Sequence, residues 1–214
     1  RSTLFPYTTL FRSRTGFDLL PDDKRKAAAG FLAKDIGNRG NHLSTGFLGT
    51  SYLCHVLSRF GYTDVAYKLL LQETYPSWLY PVKMGATTIW ERWNGIRTDS
   101  TFEDAGMNSF NHYAYGAIGE WMYRVAAGLE IDTEKPGYKH FFIQPQPGGN
   151  FTYMKAGLKT LYSNIASAWE LKNGKIMVTV KVPANTTATI RLPKSGGKRS
   201  EEHTSELQSQ NRIS

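Results

Sequence analysis

Between two glycines, Gly85 and Gly95, the chain carries Ala86-Thr87-Thr88-Ile89-Trp90-Glu91-Arg92-Trp93-Asn94. A carboxylate, a guanidinium, two indoles and two hydroxyls in one short stretch are the raw material of a polar pocket. Glycine at both ends permits backbone shapes that other residues resist, so the spacing predicts a shaped loop rather than a helix interior. On composition alone, Glu91 beside Arg92 is an ordinary solvated ion pair. The tryptophans alter that reading. Trp90 and Trp93 offer flat apolar faces with a polar N–H, a combination suited to a sugar ring. A carboxyl group held between them would be partly desolvated, which raises its pKa toward the range useful for proton transfer.

Two further motifs stand away from this loop. Ser44-Thr45-Gly46-Phe47-Leu48-Gly49-Thr50 precedes it, and Ser109-Phe110-Asn111-His112-Tyr113-Ala114 follows it. In this order, and with GATTIWERW between them, they resemble the α-L-rhamnosidases of glycoside hydrolase family 78. The resemblance runs from roughly Thr15 to Pro193 and corresponds to the C-terminal portion of such an enzyme. It implies a mostly α then β chain: part of an (α/α)₆ toroid of six helical hairpins, followed by a small antiparallel β-sandwich. At least half of the toroid would lie outside this chain.

The resemblance also implies an inverting glycoside hydrolase that removes terminal α-L-rhamnose from glycosides or polysaccharides. Inversion needs two carboxyl groups about 6.5–9.5 Å apart, one protonating the leaving oxygen and one activating water on the far face. Glu91 aligns with the general base. His112 aligns with a residue that contacts bound rhamnose, and Trp90, Trp93 and Arg92 complete the expected substrate-binding set, with Arg92 and Trp90 fixing Glu91. The family's general acid lies upstream of Arg14, so the chain alone is expected to be inactive. Asp99, Glu103 and Asp104 read instead as a solvated loop with turn-forming Asp. By itself, a histidine near a helix start is a local hydrogen-bonding or capping residue. Two rival functions remain: another six-hairpin glycosidase, glucosidase-like or a uronyl hydrolase, or a non-catalytic carbohydrate-binding or structural module on the strands after residue 150.

The elements that must position these residues fall into two runs. Asp22 or Asp23 is expected to cap a helix over Lys24–Ile36, with Ala27-Ala28-Ala29 as strong formers. Leu48, Tyr52, Leu53, Val56, Leu57 and Phe60 form one face of a second helix, ended by Gly61. Thr63 is expected to cap a third, with Val65, Leu69 and Leu70 inward, closing an αα-hairpin. Pro76 and Pro81 keep 77–84 short or irregular. Ser109 is expected to cap the strongest helix, with Ile118, Trp121, Met122, Val125 and Leu129 on one face. After Pro136 the period changes. Phe141-Phe142-Ile143 predicts a short strand, and Pro145 to Gly149 a wide turn. Ile165–Leu171 and Ile176–Val182 predict paired strands joined by an Asn173-Gly174 turn of type I′, and Thr187–Leu192 one more. Segregated helices and strands argue against a doubly wound sheet.

The two ends, Thr3–Ser13 and Arg199–Ser209, look like in-frame translations of sequencing adapters and are set aside. The expected division is 1–13 scar, 14–136 toroid portion, 137–198 sandwich and 199–214 scar, both scars disordered. Since a leader could precede this chain, the compartment is left open, with periplasmic or secreted parents among the options. The formal charge of +8 invites a nucleic-acid partner, but the positives are scattered and no nucleic-acid motif occurs, so none is expected. No apolar run approaches the ~20 residues of a membrane span. Dispersed histidines without H-E-x-x-H, paired cysteines or a phosphate loop predict neither metal nor cofactor. The lone Cys54 sits on an apolar helix face and reads as a buried filler.

Overall fold

The computed structural model describes residues 20–193; the adapter-like ends at 1–13 and 199–214 lie outside the described residues. Among the described residues, five α-helices and six strands follow in the segregated order that the sequence predicts. Helix α1 spans Asp22–Asn38 and buries Ala28, Ala29, Leu32, Ala33 and Ile36. Its N-cap is Pro21, which has no capping side chain, so Asp22 and Asp23 occupy the first turn instead of the cap position. There they face the positive end of the helix dipole, and Asp22 pairs with Arg25 at 2.7 Å.

Helix α2 (Phe47–Arg59) and helix α3 (Thr63–Leu70) form the expected hairpin, turned at Gly61 with φ +87°. The buried stripe of α2 is Leu53, Cys54, Val56 and Leu57. Leu48 and Tyr52, expected on that face, are exposed at 84% and 43%. The core cluster takes one turn fewer of the helix than the apolar spacing covers. Cys54 is a filler as predicted, and burial pushes its thiol up to about 12. Thr63 does not cap α3: its hydroxyl donates to Gln146 Oε1 at 2.5 Å, tying the hairpin to the later chain. Helix α4 (Leu79–Lys83) is the short piece that Pro81 allows.

The helix expected from Ser109 begins only at Ala114. It runs as a 3₁₀ turn (Ala114–Ala117), helix α5 (Ile118–Trp121) and a π turn (Met122–Ala126). Residues 109–112 are withheld from it because their backbone is committed to the preceding loop, as described below. Leu129, expected on its face, belongs to strand β1 (Leu129–Ile131). Gly128 makes the change of direction: its φ is +78°, and a Cβ there would lie 2.1 Å from Pro145 N, so no other residue fits.

Strand β1 pairs antiparallel with β2 (His140–Ile143), so the ladder crosses the expected 136/137 division. Strand β6 (Thr187–Ile190) lies on the other side of β2 and runs parallel to it, a departure from an all-antiparallel sandwich. It is parallel because the chain leaves β5 (Lys175–Lys181) and crosses over to the first sheet before entering β6. The second sheet is antiparallel throughout, in the order β3 (Tyr153–Thr160), β4 (Ser163–Lys172), β5. The β4–β5 hairpin turns at Asn173 and Gly174, with φ of +51° and +71°, as type I′ requires. Strand β3 was not expected. Met154, Ala156 and Leu158 do alternate with Lys155, Gly157 and Lys159, but the apolar run is short and only Ala156 is fully buried.

Leu129, Phe141, Ile143 and Ile165 form the sandwich core. A larger cluster holds the helices together and includes Leu53, Leu57, Tyr67, Leu69, Trp93 and Trp121. The two regions are joined at the end of the composite helix. Trp169 Nε1–H donates to Ala126 O at 2.8 Å, and Ser167 Oγ–H donates to Ala127 O at 2.6 Å. A helix leaves its last carbonyls without intrahelical partners, and here β4 supplies them. Trp169→Phe removes one donor and strands a buried carbonyl. It should lower unfolding stability by about 1–3 kcal/mol, read as a lower urea midpoint by circular dichroism.

Candidate functional site

The stretch Gly85–Gly95 is an irregular loop, as its glycines predict. Gly85 has φ +88°. Gly95 is required for a different reason: a Cβ would sit 2.8 Å from Asn108 Oδ1, 3.1 Å from Phe110 and 3.2 Å from Trp90. That close approach marks where the loop folds against residues 108–112.

Backbone bonds strap the two segments together. His112 N–H donates to Ile89 O, and Glu91 N–H donates to Ser109 O, each at 2.8 Å. Ser109 N–H returns to Glu91 Oε2 at 2.9 Å, and the Thr88 hydroxyl donates to Phe110 O. Glu91 is half-buried, with one oxygen fixed by this main-chain donor. Its Oε1 has no hydrogen-bond partner among the described residues. The GATTIWERW and SFNHYA motifs are thus one local structure, and Glu91 and His112 stand on its two facing segments.

Arg92 does not hold Glu91. Its Nη1 lies 3.3 Å from Glu103 Oε1, while Arg97 Nε lies 2.5 Å and Asn94 Nδ2 3.3 Å from Glu103 Oε2. The hydrogen bond from Arg97, with the charges of Arg97 and Arg92, holds the Glu103 carboxyl below its ordinary range. Asp99 accepts from the Thr101 N–H and hydroxyl, and Asp104 accepts from Gly106 N–H. Asp99 and Asp104 form the turns of the 97–107 loop that the sequence predicts, whereas Glu103, expected to be solvated, is taken up by Arg92, Arg97 and Asn94.

The tryptophans are not open platforms. Trp90 is 5% and Trp93 8% exposed. Trp90 meets Phe110 edge-on, and Trp93 stacks on Tyr115 with centroids 3.6 Å apart. Both indoles are buried as apolar anchors for a loop without regular hydrogen bonds, so neither is the open sugar platform that its residue type suggests.

His112 is half-buried between two rings: Phe47 at 4.8 Å and 24°, and Tyr113 at 5.4 Å and 9°. Its Nδ1 accepts from Ala114 N–H at 3.3 Å, the local contact expected of a histidine before a helix. Phe47 and Tyr113 were not singled out from the sequence. Their signal was membership of the same two motifs. Among the described residues no cluster of His, Cys, Asp and Glu could hold a metal ion, and no helix is long and apolar enough to cross a membrane.

A helical-hairpin region carrying a strapped acidic loop, backed by a β-sandwich, defines a chain of the six-hairpin glycosidase type. Residues 15–126 match the bacterial alpha-L-rhamnosidase 6 hairpin glycosidase domain, and residues 128–206 the bacterial alpha-L-rhamnosidase C-terminal domain. The chain belongs to the bacterial α-L-rhamnosidase family. It is 48% identical over 176 residues to an alpha-L-rhamnosidase of Streptomyces avermitilis, covering 82% of this chain and 17% of that protein. It is 49% identical over 177 residues to one from Formosa agariphila, covering 83% and 19%. A crystal structure of the Streptomyces avermitilis enzyme complexed with L-rhamnose superposes with a TM-score of 0.81 at 45% identity, covering 86% of this chain and 18% of that one. The native enzyme from Aspergillus terreus gives 0.84 at 36% identity, covering 89% and 22%. The chain therefore spans about a fifth of the length of these relatives.

The Glu103 cluster carries a pH prediction. A carboxyl with a depressed folded pKa stabilises above its unfolded value, 4.5, and loses that contribution as pH falls through the folded one. Glu103→Gln should lower the melting temperature at pH 7 and converge with the unaltered chain in strong acid. Thermal melts across pH measure both.

Proposed function

We propose that this chain is the C-terminal portion of an inverting α-L-rhamnosidase and that Glu91 is its general base. In this reading Glu91 removes a proton from a water as the water attacks the anomeric carbon of a terminal rhamnose. The bond to the leaving oxygen breaks on the opposite face, and a carboxylic acid in the upstream polypeptide protonates that oxygen. His112 contacts the sugar. Trp90, Trp93 and Arg92 act behind this surface: the indoles anchor the loop, and Arg92 orients it through Glu103.

One observation carries the proposal. The Glu91 carboxylate is held by a single main-chain donor at Oε2, on a loop bonded to the segment that bears His112. One fixed oxygen leaves the other to meet a water, which is the geometry a base needs. The rival acids of the chain support it by default: Glu103 is engaged by two arginines and held ionised, so it is a poor proton donor. The Streptomyces avermitilis relative, solved with L-rhamnose, supports the sugar class.

A chimera tests this directly. Residues 15–193 replace the matching segment of the Streptomyces avermitilis enzyme, and hydrolysis of a chromogenic α-L-rhamnoside is followed. The chimera should turn over and release β-L-rhamnose first by NMR, and Glu91→Gln should reduce kcat by ~10²–10⁴. The 214-residue chain alone should give no turnover. Activity of the lone chain that Glu91→Gln abolishes would overturn the assignment of the acid to another part of the polypeptide.

A further inference from the structure

We infer that Phe47 is a positioning residue for His112, presenting its imidazole as an Nε2–H donor. The inference rests on the sugar-contact reading of His112 for its purpose, but on geometry alone for its content.

The Thr45–Thr50 motif explains how Phe47 is held. Thr50 Oγ1–H donates to Gly46 O at 3.0 Å and accepts from Thr45 Oγ1 at 2.6 Å, with Thr45 and Thr50 both buried. This double hydroxyl link closes the first turn of α2, where the helix has no capping side chain. Phe47 is the first residue of that turn, so its backbone is fixed by the closure, and its ring packs on Tyr115 and His112. It touches Tyr115 at 5.2 Å and His112 at 4.8 Å.

Those contacts complete a file of rings. Trp78 meets Trp93 edge-on at 5.6 Å, Trp93 stacks on Tyr115 at 3.6 Å, Tyr115 meets Phe47, and Phe47 stacks on His112. Trp78, Trp93 and Tyr115 lie in the helical core, while Tyr113, the leaf beyond His112, is 87% exposed. Phe47 is therefore the link through which a rigid core reaches a half-buried imidazole. A neutral imidazole has one donor and one acceptor nitrogen. Ala114 N–H points at Nδ1, so the proton belongs on Nε2. A ring held in plane by Phe47 keeps that bond, and Nε2–H is left to donate to a sugar hydroxyl oxygen.

Long-range ¹H–¹⁵N correlation spectra of the labelled 214-residue chain report the tautomer, with His112→Gln assigning the signals. Above neutral pH the two ring nitrogens of His112 should be widely separated, as in a pure Nε2–H form. Phe47→Leu should collapse the two shifts toward their mean, and Phe47→Tyr should restore the separation. A mixed tautomer in the unaltered chain overturns the inference even where Phe47→Leu fails to fold, as do unchanged shifts in a folded Phe47→Leu. Added L-rhamnose separates the two layers in the Streptomyces avermitilis chimera, whose upstream segment restores the rest of the pocket. A fixed tautomer that rhamnose leaves unperturbed upholds the positioning role and contradicts the sugar contact.

Discussion

The site depends on one short strap, the pair of backbone bonds that join Ile89 and Glu91 to His112 and Ser109. Neither segment has regular secondary structure to hold it, so each supplies the other's missing hydrogen-bond partners. The strap has two consequences. It places the carboxylate and the imidazole on facing segments, and it prevents residues 109–112 from entering the helix that their sequence otherwise favours. The Ser109 carbonyl that would accept the first bond of that helix accepts from Glu91 N–H instead.

Around the strap, polar residues shape the loops and aromatic residues fix them to the core. Glu103 collects Arg92, Arg97 and Asn94 on one side. Trp90, Trp93 and Tyr115 bury their faces on the other. Farther away, Trp169 and Ser167 close the carbonyl end of the composite helix, so the sandwich is fastened to the element that begins two residues after His112. The scaffold behind the loop is thereby braced from both ends.

Much of this was legible in the sequence, and the failures share a cause. An Asp cap and the alanine run located α1, helical spacing located α2 and α3, alternation located β4 and β5, and Asn173-Gly174 located their turn. Three separated motifs identified the family. Periodicity measures only what a segment prefers alone, so it placed Leu48 and Tyr52 inward and extended the last helix from Ser109 to Leu129. Long-range bonds decided otherwise at both ends of that helix, through Ile89 and through Gly128 packed on Pro145. The tryptophans misled in the same way. Residue type suggested sugar platforms, but their direction is set by Tyr115 and Phe110, which are distant in sequence. Phe47 was hidden because an aromatic in a helix start carries no sign of the ring it will touch.

The central claim is that the Glu91 carboxylate activates the attacking water. Azide needs no base, so it should replace both water and carboxylate in a Glu91→Ala form of the Streptomyces chimera. The account predicts that this variant is nearly inactive in buffer, regains turnover with sodium azide, and yields β-L-rhamnosyl azide. Full activity without azide, or an azide product of α configuration, would contradict it.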